Sequence, residues 1–323
     1  MQDSKMVRNV VLLGHSKSGK TSLAEALLFT AGKTKRLGKV DDGSSIMDFE
    51  PEETKKRVTI TSSFHRYSWK KHSVYMVDTP GDDNFLNEAL FASRVADTVV
   101  FPVSAVSGVK YQTERIASFI EDKNIPTLFF VNKMDKERAN FSATVDSIKN
   151  SLPFSLAVIH LPIGAEADFK GIVDLLYRKA YMFDGNTGKV KAEDIPSDMA
   201  DEVAVARESL MEQVAETDDD LIEKFLEEGE LAEADLVLGL NTAIKSGAIC
   251  PVCVGSATEN LGSELVMNVI NDLMPAPCDR HPQVGTDPKS KDVIERAPTA
   301  DAPFSALVFK TMADPYAGRL TIF

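Results

Sequence analysis

The sequence has few cysteines and a single tryptophan. Three Cys residues in a chain of 323 are too few for a disulfide framework. Cys250 and Cys253 form a C-x-x-C pair within an apolar run that is typical of a buried strand. Residues three apart on a strand point to opposite faces, and Cys278 has no near neighbour of its kind. A zinc site would need a second ligand pair, so we interpret these residues as thiols in apolar surroundings.

Long hydrophobic runs are also missing. The N-terminus has no basic region followed by an apolar run, and no stretch reaches the roughly 18 apolar residues of a membrane-spanning helix. From these two absences we expect neither an export signal nor a membrane anchor. We therefore expect a cytoplasmic protein with no membrane partner.

Positive charge is in deficit. The chain has 36 Lys and Arg against 49 Asp and Glu, a formal net charge of −13 and a pI near 4.9. This balance argues against broad electrostatic wrapping of nucleic acid. We expect no direct DNA binding, and we expect any RNA contact to be local or to lie elsewhere.

What the sequence does contain is an alternation of β-rich runs with helical stretches. With 43% hydrophobic residues the chain allows about two domains. The alternation predicts an α/β fold, a mostly parallel sheet with helices on both faces. The strand candidates are Val7–Leu13, His72–Asp78, Thr98–Val103 and Pro126–Val131, with Ile60–Trp69 as an antiparallel edge strand. Helices are expected to begin at Lys20, at Asn84, near Lys110 and near Lys136.

The texture changes in the second half of the chain. Residues from about 160 to 250 have amphipathic helical spacing with a heavy excess of acid, which predicts an inserted α+β subdomain. Residues 281–302 are rich in Pro, Asp and Lys and are predicted to be a linker. Residues 303–323 are predicted to be two strands around a turn, which alone are marginal in water. We therefore expect a first domain over 1–280 and the start of a second over 303–323.

The stretch LLGHSKSGKTS, Leu12–Ser22, fits the phosphate-loop pattern G-x-x-x-x-G-K-[ST]. Its glycines let backbone N–H groups approach phosphates, Lys20 reaches the β- and γ-phosphates, and Thr21 holds Mg²⁺. The pattern lies between a predicted strand and a predicted helix, as this chemistry requires. The nucleotide-binding residues that it predicts are Gly14, His15, Ser16, Lys17, Ser18, Gly19, Lys20, Thr21 and Ser22.

Two further motifs follow strands. In VYMVDTPGDDNF, Asp78 and Gly81 form D-x-x-G; the carboxylate is suited to a Mg²⁺-bound water and the glycine N–H to the γ-phosphate. In FFVNKMD, Asp135 has the geometry to accept two hydrogen bonds from the guanine edge, which adenine does not offer. Asn132 fixes this loop, and the Lys133 stem lies on the ring face. The run Gly255, Ser256 and Ala257 supplies a backbone N–H to the guanine O6, so residues 1–280 are predicted to be a GTP-binding domain.

These residues resemble the N-terminal part of elongation factor G. The likeness runs nearly end to end, through RNVVLLGHSKSGKTSLAEALLF, VDTPGDDNF, NKMDKERANF, PIGAEADFKGIVDLL, GSATEN and APFSALVFKTMADPYAGRLTIF. It implies a P-loop GTPase that uses GTP/GDP and Mg²⁺ and acts on the ribosome. It also implies that the acidic insert contacts the ribosomal stalk protein and that residues 303–323 are the start of a truncated β-barrel domain. Later C-terminal domains, expected beyond this sequence, are implied to make most of any RNA contact.

The resemblance assigns Thr59 to the first switch, where a threonine closes on Mg²⁺ and the γ-phosphate. It makes Thr21, Thr59 and Asp78 the metal site, and Lys20, Thr59 and Gly81 part of the catalytic machinery. Asp82 replaces the family histidine that orients the attacking water. His15, Ser16, Lys17 stand where the family has His-Ile-Asp, and Lys56, Arg57, Val58 where it has Arg-Gly-Ile. These departures indicate a paralogue of the housekeeping factor.

Two of the departures suggest a catalytic role for Lys17. In similar factors the phosphate-loop aspartate helps to hold a monovalent cation beside the phosphates. The Lys17 ammonium carries the same unit charge and is able to take the place of that ion. The alternative is a lysine that points to solvent.

Three functions remain open from the sequence. The first is a GTPase of the elongation factor G type, weakened by Asp82 and catalysing a translocation-like step. The second is a GTP-dependent ribosome-binding module with very slow hydrolysis, and the third is a ribosomal protection or release-type factor.

Overall fold

The structure, a computed structural model, describes residues 3–314 and 318–323. Its strands are β1 (Val7–Leu12), β2 (Ser63–Trp69), β3 (His72–Asp78), β4 (Thr98–Ser104), β5 (Thr127–Asn132), β6 (Leu156–Val158), β7 (His160–Ile163), β8 (Gly171–Asp174), β9 (Lys179–Phe183), β10 (Val190–Glu193), β11 (Cys250–Val254), β12 (Gln283–Thr286), β13 (Val293–Arg296), β14 (Lys310–Asp314) and β15 (Gly318–Ile322). Its α-helices are α1 (Lys20–Thr30), α2 (Pro51–Lys56), α3 (Leu86–Ser93), α4 (Tyr111–Asp122), α5 (Phe141–Ser151), α6 (Ala200–Ala215), α7 (Asp219–Glu228), α8 (Glu233–Ser246) and α9 (Ser263–Asp272).

A seven-stranded sheet in the order β2-β3-β1-β4-β5-β11-β6 forms the centre of the fold. All its neighbouring pairs are parallel except β2 with β3, so the predicted antiparallel edge strand is confirmed. The predicted α/β architecture is present, and further antiparallel sheets lie outside the central one. Because β1 pairs with β3 on one side and β4 on the other, the chain crosses over beside the end of β1, where such sheets bind ligands.

Both faces of the central sheet are covered by apolar cores. Alternate residues of β1 enter different cores, Val10 and Leu12 on one side and Val11 on the other. Cys250 and Cys253 are also buried in different cores, as strand alternation predicts, and both are free thiols. Burial raises the pKa of Cys250 to about 12, which makes it an unreactive apolar side chain.

The helix expected near Lys136 begins later, at Phe141. Its N-cap is Asn140, whose side chain accepts a hydrogen bond from the Ala143 N–H at 2.9 Å. Arg138 has φ of 68°, a left-handed conformation that a helix does not allow. The prediction was wrong because the NKMD loop continues through residue 140 before a capping residue appears. At Asn84 the chain forms a short 3₁₀ turn, Asp83–Phe85, before α3 starts.

The acidic segment folds as a four-stranded antiparallel sheet, β10-β9-β8-β7, with α6, α7 and α8. It leaves the central sheet after β6 and returns at β11. Arg207 on α6 donates hydrogen bonds to the carbonyls of Leu175 and Leu176, which ties the helix to the loop after β8.

The segment expected to be an irregular linker contains a hairpin, β12 paired with β13. At its turn, Asp287 accepts hydrogen bonds from the backbone N–H groups of Lys289 and Ser290 at 2.7 and 3.0 Å. This turn chemistry explains regular structure in a sequence without strand periodicity.

β14 and β15 pair antiparallel as predicted, and the expected turn at residues 315–317 lies outside the described residues. Among the described residues no helix is long and apolar enough to cross a membrane.

Candidate nucleotide-binding site

The loop between β1 and α1 has a backbone path that depends on glycine. Gly14 and Gly19 have φ of 149° and 97°. A Cβ at Gly19 would overlap the Asn132 side-chain amide, and one at Gly14 would lie 3.1 Å from Ser18 Oγ and 3.2 Å from the Pro102 carbonyl. The loop therefore packs its own backbone tightly against β4 and the end of β5.

Lys20 is buried at the first position of α1, inside this loop. Its Nζ donates hydrogen bonds to the carbonyl oxygens of Gly14 at 2.9 Å and His15 at 3.1 Å. Burial lowers the pKa of Lys20 and raises that of the neighbouring Asp78, and their opposite charges offset part of both shifts. The ammonium is thus held by two neutral carbonyls, which a phosphate oxygen would outcompete as acceptor.

Thr21 and Thr59 meet although 38 positions separate them. Their hydroxyl oxygens lie 3.0 Å apart and both residues are buried. Thr59 Oγ1 also donates to Asp48 Oδ1 at 2.8 Å. The sequence reasoning missed Asp48, because a lone aspartate in a long loop carries no motif that marks it. Burial raises the pKa of Asp48.

Asp78 ends β3 in a fully buried position. Neither of its carboxylate oxygens has a hydrogen-bond partner among the described residues. Lys20 and Thr21 lie near this carboxylate and offset part of its burial. A buried carboxylate whose oxygens accept no well-formed hydrogen bond is nevertheless unfavourable, so this group fits a site completed by a bound cation. Mg²⁺ takes oxygen ligands and keeps several waters, and the hydroxyls of Thr21 and Thr59 with the Asp78 carboxylate are donors of that kind.

Two other buried carboxylates hold the segment that carries Thr59. Glu25 on α1 accepts hydrogen bonds from Ser45 Oγ at 2.7 Å and from the Ile46 N–H at 2.5 Å. Glu53 on α2 accepts from the N–H groups of Ile60 and Thr61 at 2.8 and 2.9 Å. The Thr59 segment is therefore anchored on both sides by side chains of α1 and α2. These contacts were not foreseen, since the sequence gives no sign of which acids are buried.

Gly81 lies directly against the phosphate loop. A Cβ at this position would overlap Lys20 Nζ and lie 2.7 Å from the Ser16 nitrogen. The carboxylate of the next residue, Asp82, is already hydrogen-bonded. Its Oδ1 accepts from the Asn84 N–H at 3.0 Å and from Asn84 Nδ2 at 2.7 Å. Asp82 thus caps the short turn before α3.

The remaining phosphate-loop residues differ in environment. The Lys17 side chain is exposed and its backbone has φ of 64°. His15 is buried with Nδ1 3.1 Å from Thr113 Oγ1, and burial, followed by the Lys20 charge, lowers its pKa to about 4. Ser18 is buried as well, whereas Ser16 and Ser22 are partly exposed.

The NKMD and GSA residues form one hydrogen-bonded network. Asn132 donates to the Ser18 carbonyl at 2.9 Å, and its Oδ1 accepts from the Ala257 N–H at 2.9 Å. Asp135 accepts from Ser256 Oγ at 2.5 Å through one oxygen and pairs with Lys136 at 2.7 Å through the other. These residues come together because β5 and β11 are parallel neighbours whose carboxyl ends share one edge.

Lys133 joins the base end to the phosphate loop. Its Nζ donates to the Lys17 carbonyl at 2.8 Å, so the aliphatic stem spans from NKMD to the loop. Gly255 accepts a hydrogen bond from the Met134 N–H at 3.2 Å and would overlap the Leu261 carbonyl if it carried a Cβ. All the motif residues predicted from sequence therefore lie at the carboxyl edge of the central sheet.

One cavity of the described residues lies away from these motifs. It has a volume of about 520 Å³ and lies between the insert and α9, where His160, Asp174, Tyr177 and Asp272 contribute to its wall. No residue of the predicted motifs lines it. The candidate nucleotide site does not form an open cavity, because the Lys20 side chain lies within the phosphate loop. Its evidence is the set of polar side chains that meet at this edge of the sheet.

Comparison with known proteins gives two results. A family model described as the elongation factor Tu GTP binding domain matches residues 5–276. A crystal structure of a protein from Thermus thermophilus is similar at 28% sequence identity with a TM-score of 0.84. The match covers 98% of this chain and 45% of that one, so the chain spans about half the length of the solved protein.

Proposed function

Because the chain belongs to the translational GTPase family defined by the elongation factor Tu GTP binding domain, we propose that it is a translation factor of the elongation factor G type. It binds and hydrolyses GTP and acts on the ribosome. The observation that carries this proposal is the hydrogen-bonded chain from Asp135 and Ser256 through Asn132 to the phosphate loop. These hydrogen bonds support recognition of a guanine base and of phosphates at one edge of the central sheet.

The roles follow from the contacts. Asp135 binds the guanine N1–H and amine edge, the Lys133 stem covers the ring, and the run Gly255, Ser256 and Ala257 supplies a backbone N–H to the O6. Lys20 and the backbone N–H groups of the loop bind the phosphates, and the Gly81 N–H binds the γ-phosphate. Thr21, Thr59 and Asp78 would hold Mg²⁺, which would supply positive charge to neutralise the phosphates.

Asp82 limits hydrolysis in this proposal. Its carboxylate is already a hydrogen-bond acceptor for Asn84, and it does not shuttle a proton as a neutral imidazole does. We expect basal turnover no faster than the roughly 10⁻⁴ s⁻¹ of unassisted GTPases. Single-turnover rates above about 1 s⁻¹ without ribosomes would contradict this expectation.

The capping role of Asp82 also favours a second candidate, a GTP-dependent ribosome-binding module that hydrolyses GTP too slowly to matter. GTP turnover with and without ribosomes distinguishes the two. Stimulation by ribosomes supports the GTPase, and nucleotide-dependent ribosome binding without stimulation supports the module. The Asp82→His variant sharpens the result, because restored stimulation would locate the deficit in that side chain.

For Lys17 we propose the role of a fixed cation beside the phosphates. Its side chain is exposed in the structure, so this role requires the side chain to turn inward when nucleotide binds. The proposal requires GTP turnover that differs little between potassium and sodium, and a Lys17→Asp change that introduces potassium dependence. A several-fold potassium stimulation of the parent protein would overturn it.

We further propose the domain limits 1–280, 281–302 and 303–323, with the last segment opening a β-barrel domain. The acidic insert is proposed to contact the ribosomal stalk protein, and the protein is proposed to be cytoplasmic. Pull-down of purified stalk protein by the parent chain and by a variant lacking residues 160–250 tests the assignment of the insert.

A further inference from the structure

Three segments of the chain meet at one carboxylate. Lys310 Nζ on β14 pairs with Glu88 Oε2 on α3 at 2.5 Å, and the same oxygen accepts a hydrogen bond from the Ser62 N–H at 3.0 Å. Lys310 Nζ also lies 3.4 Å from the Ser62 carbonyl. The side chains of Lys310 and Glu88 are only 12% and 32% exposed. We call Ser62, Glu88 and Lys310 the junction cluster.

Each member of the junction cluster belongs to a different part of the fold. Ser62 follows Thr59 by three positions, and Glu88 lies in the first turn of the helix that follows Gly81 and Asp82. Lys310 belongs to the β14–β15 hairpin, far along the chain. The cluster therefore links both segments proposed to contact the γ-phosphate with a hairpin that contributes no residue to the predicted nucleotide-binding motifs.

Packing around the cluster holds the hairpin in place. The Phe309 ring meets the Phe64 ring edge-on, with centroids 5.6 Å apart. Lys310 Nζ lies 5.6 Å from the centre of the same Phe64 ring. Although burial raises the pKa of Glu88, the hydrogen bonds from Lys310 and Ser62 lower it overall, so the carboxylate is charged and paired.

We propose that Lys310 is a positioning residue for the GTP-bound state. By pairing with Glu88 it fixes the acceptor of the Ser62 N–H, and it thereby holds the Thr59 segment against Thr21. The linkage is reciprocal, so GTP binding stabilises the docked hairpin to the same extent. The inference rests on the proposed function, since it assumes that Thr59 makes its contact at the γ-phosphate of GTP and makes none with GDP.

The test compares affinities for a non-hydrolysable GTP analogue and for GDP by titration calorimetry. We expect Lys310→Met to weaken the analogue about 5–20-fold, within the usual range of coupling between sites, and to change GDP affinity less than twofold. Lys310→Arg should recover most of the loss because it keeps the charge. Arg319→Met, an exposed residue of the same hairpin, is the matched control and should leave both affinities unchanged.

A double-mutant cycle identifies the partner. Glu88→Gln should reproduce the loss for the GTP analogue, and Glu88→Gln with Lys310→Met should lose no more than the larger single effect. Equal weakening of GDP and the analogue, or no weakening, would overturn the inference while leaving the proposed function intact. Failure of the parent chain to bind either guanine nucleotide would overturn the proposed function and this inference with it. Unchanged GDP affinity also shows that each variant is folded.

Discussion

The two ends of the candidate nucleotide site differ in how far their polar groups are already satisfied. At the base end, the amide nitrogen and oxygen of Asn132 both form hydrogen bonds. One carboxylate oxygen of Asp135 accepts a hydrogen bond and the other forms an ion pair. At the phosphate end, Asp78 has two buried oxygens without hydrogen-bond partners among the described residues, and Lys20 donates hydrogen bonds to two carbonyls of its own loop. The base end is preorganised, whereas the phosphate end is completed by what it binds.

The difference has a structural origin. The base end is built from the ends of two strands, β5 and β11, that are neighbours in one sheet. The phosphate end combines the end of β3, the loop after β1 and a long segment held by Glu25 and Glu53. In neighbouring strands the backbone hydrogen bonds align the side chains. The long segment around Thr59 has no such pairing among the described residues and is held by hydrogen bonds to the Glu25 and Glu53 side chains.

The largest expected effect comes from breaking the base end. Asp135→Asn removes a charged acceptor of two hydrogen bonds worth about 1.5–3 kcal/mol each. We expect GTP affinity to fall at least about 100-fold and xanthosine triphosphate to be favoured, because its edge suits an amide. Titration calorimetry measures both, with exposed Asp146→Asn as the control. Equal affinity of the parent for ATP and GTP would refute the assignment of this loop.

Breaking the phosphate end comes next. Lys20→Ala should lower nucleotide affinity by about 30-fold or more, since one charge-assisted contact to phosphate is lost. The free energy of unfolding without nucleotide should fall by about 1–3 kcal/mol, because the Gly14 and His15 carbonyls lose their donor and the buried Asp78 carboxylate loses its neighbouring positive charge. Chemical denaturation and nucleotide titration test the two statements, with exposed Lys149→Ala as the control. A change in affinity smaller than threefold would contradict the phosphate-loop assignment.

Removing the link between the two ends should affect stability. Asn132→Ala leaves the Ser18 carbonyl and the Ala257 N–H without their present partner. Each buried group left unpaired costs about 1–3 kcal/mol, so we expect the free energy of unfolding to fall by about 3 kcal/mol. Urea denaturation measures this, and unchanged stability would mean that the two ends are independent.

The smallest expected effect is a pH dependence at the phosphate end. The folded-state pKa of His15 is about 4, below its ordinary value of 6.5. Between those values the folded state binds fewer protons than the unfolded state, so stability falls as pH drops from 6.5 towards 4. Allowing for solvent screening, we expect this residue to contribute about 1–2 kcal/mol over that interval. The His15→Gln variant should show a smaller slope in urea denaturation; an identical slope would contradict the burial argument.

Pattern and periodicity were sufficient where a residue's role follows from its neighbours in the chain. The strands ending at Asp78 and Asn132 were located to within one residue, because alternating β-branched runs end at polar motifs. The start of α5 was missed because its cap, Asn140, comes after an irregular loop. The hairpin within residues 281–302 was missed because it depends on one aspartate turn.

The sequence by itself predicted the main strands of the central sheet and the motifs proposed to bind the nucleotide, since each of these is a pattern of residues close together in the chain. Only the tertiary structure decided that Thr59 meets Thr21, that Asp48, Glu25 and Glu53 hold the intervening segment, and that Lys310 reaches Glu88. Those contacts join residues separated by long loops. Their side chains are charged or polar types that are usually solvated, so nothing in the local pattern distinguishes a buried partner from an exposed one.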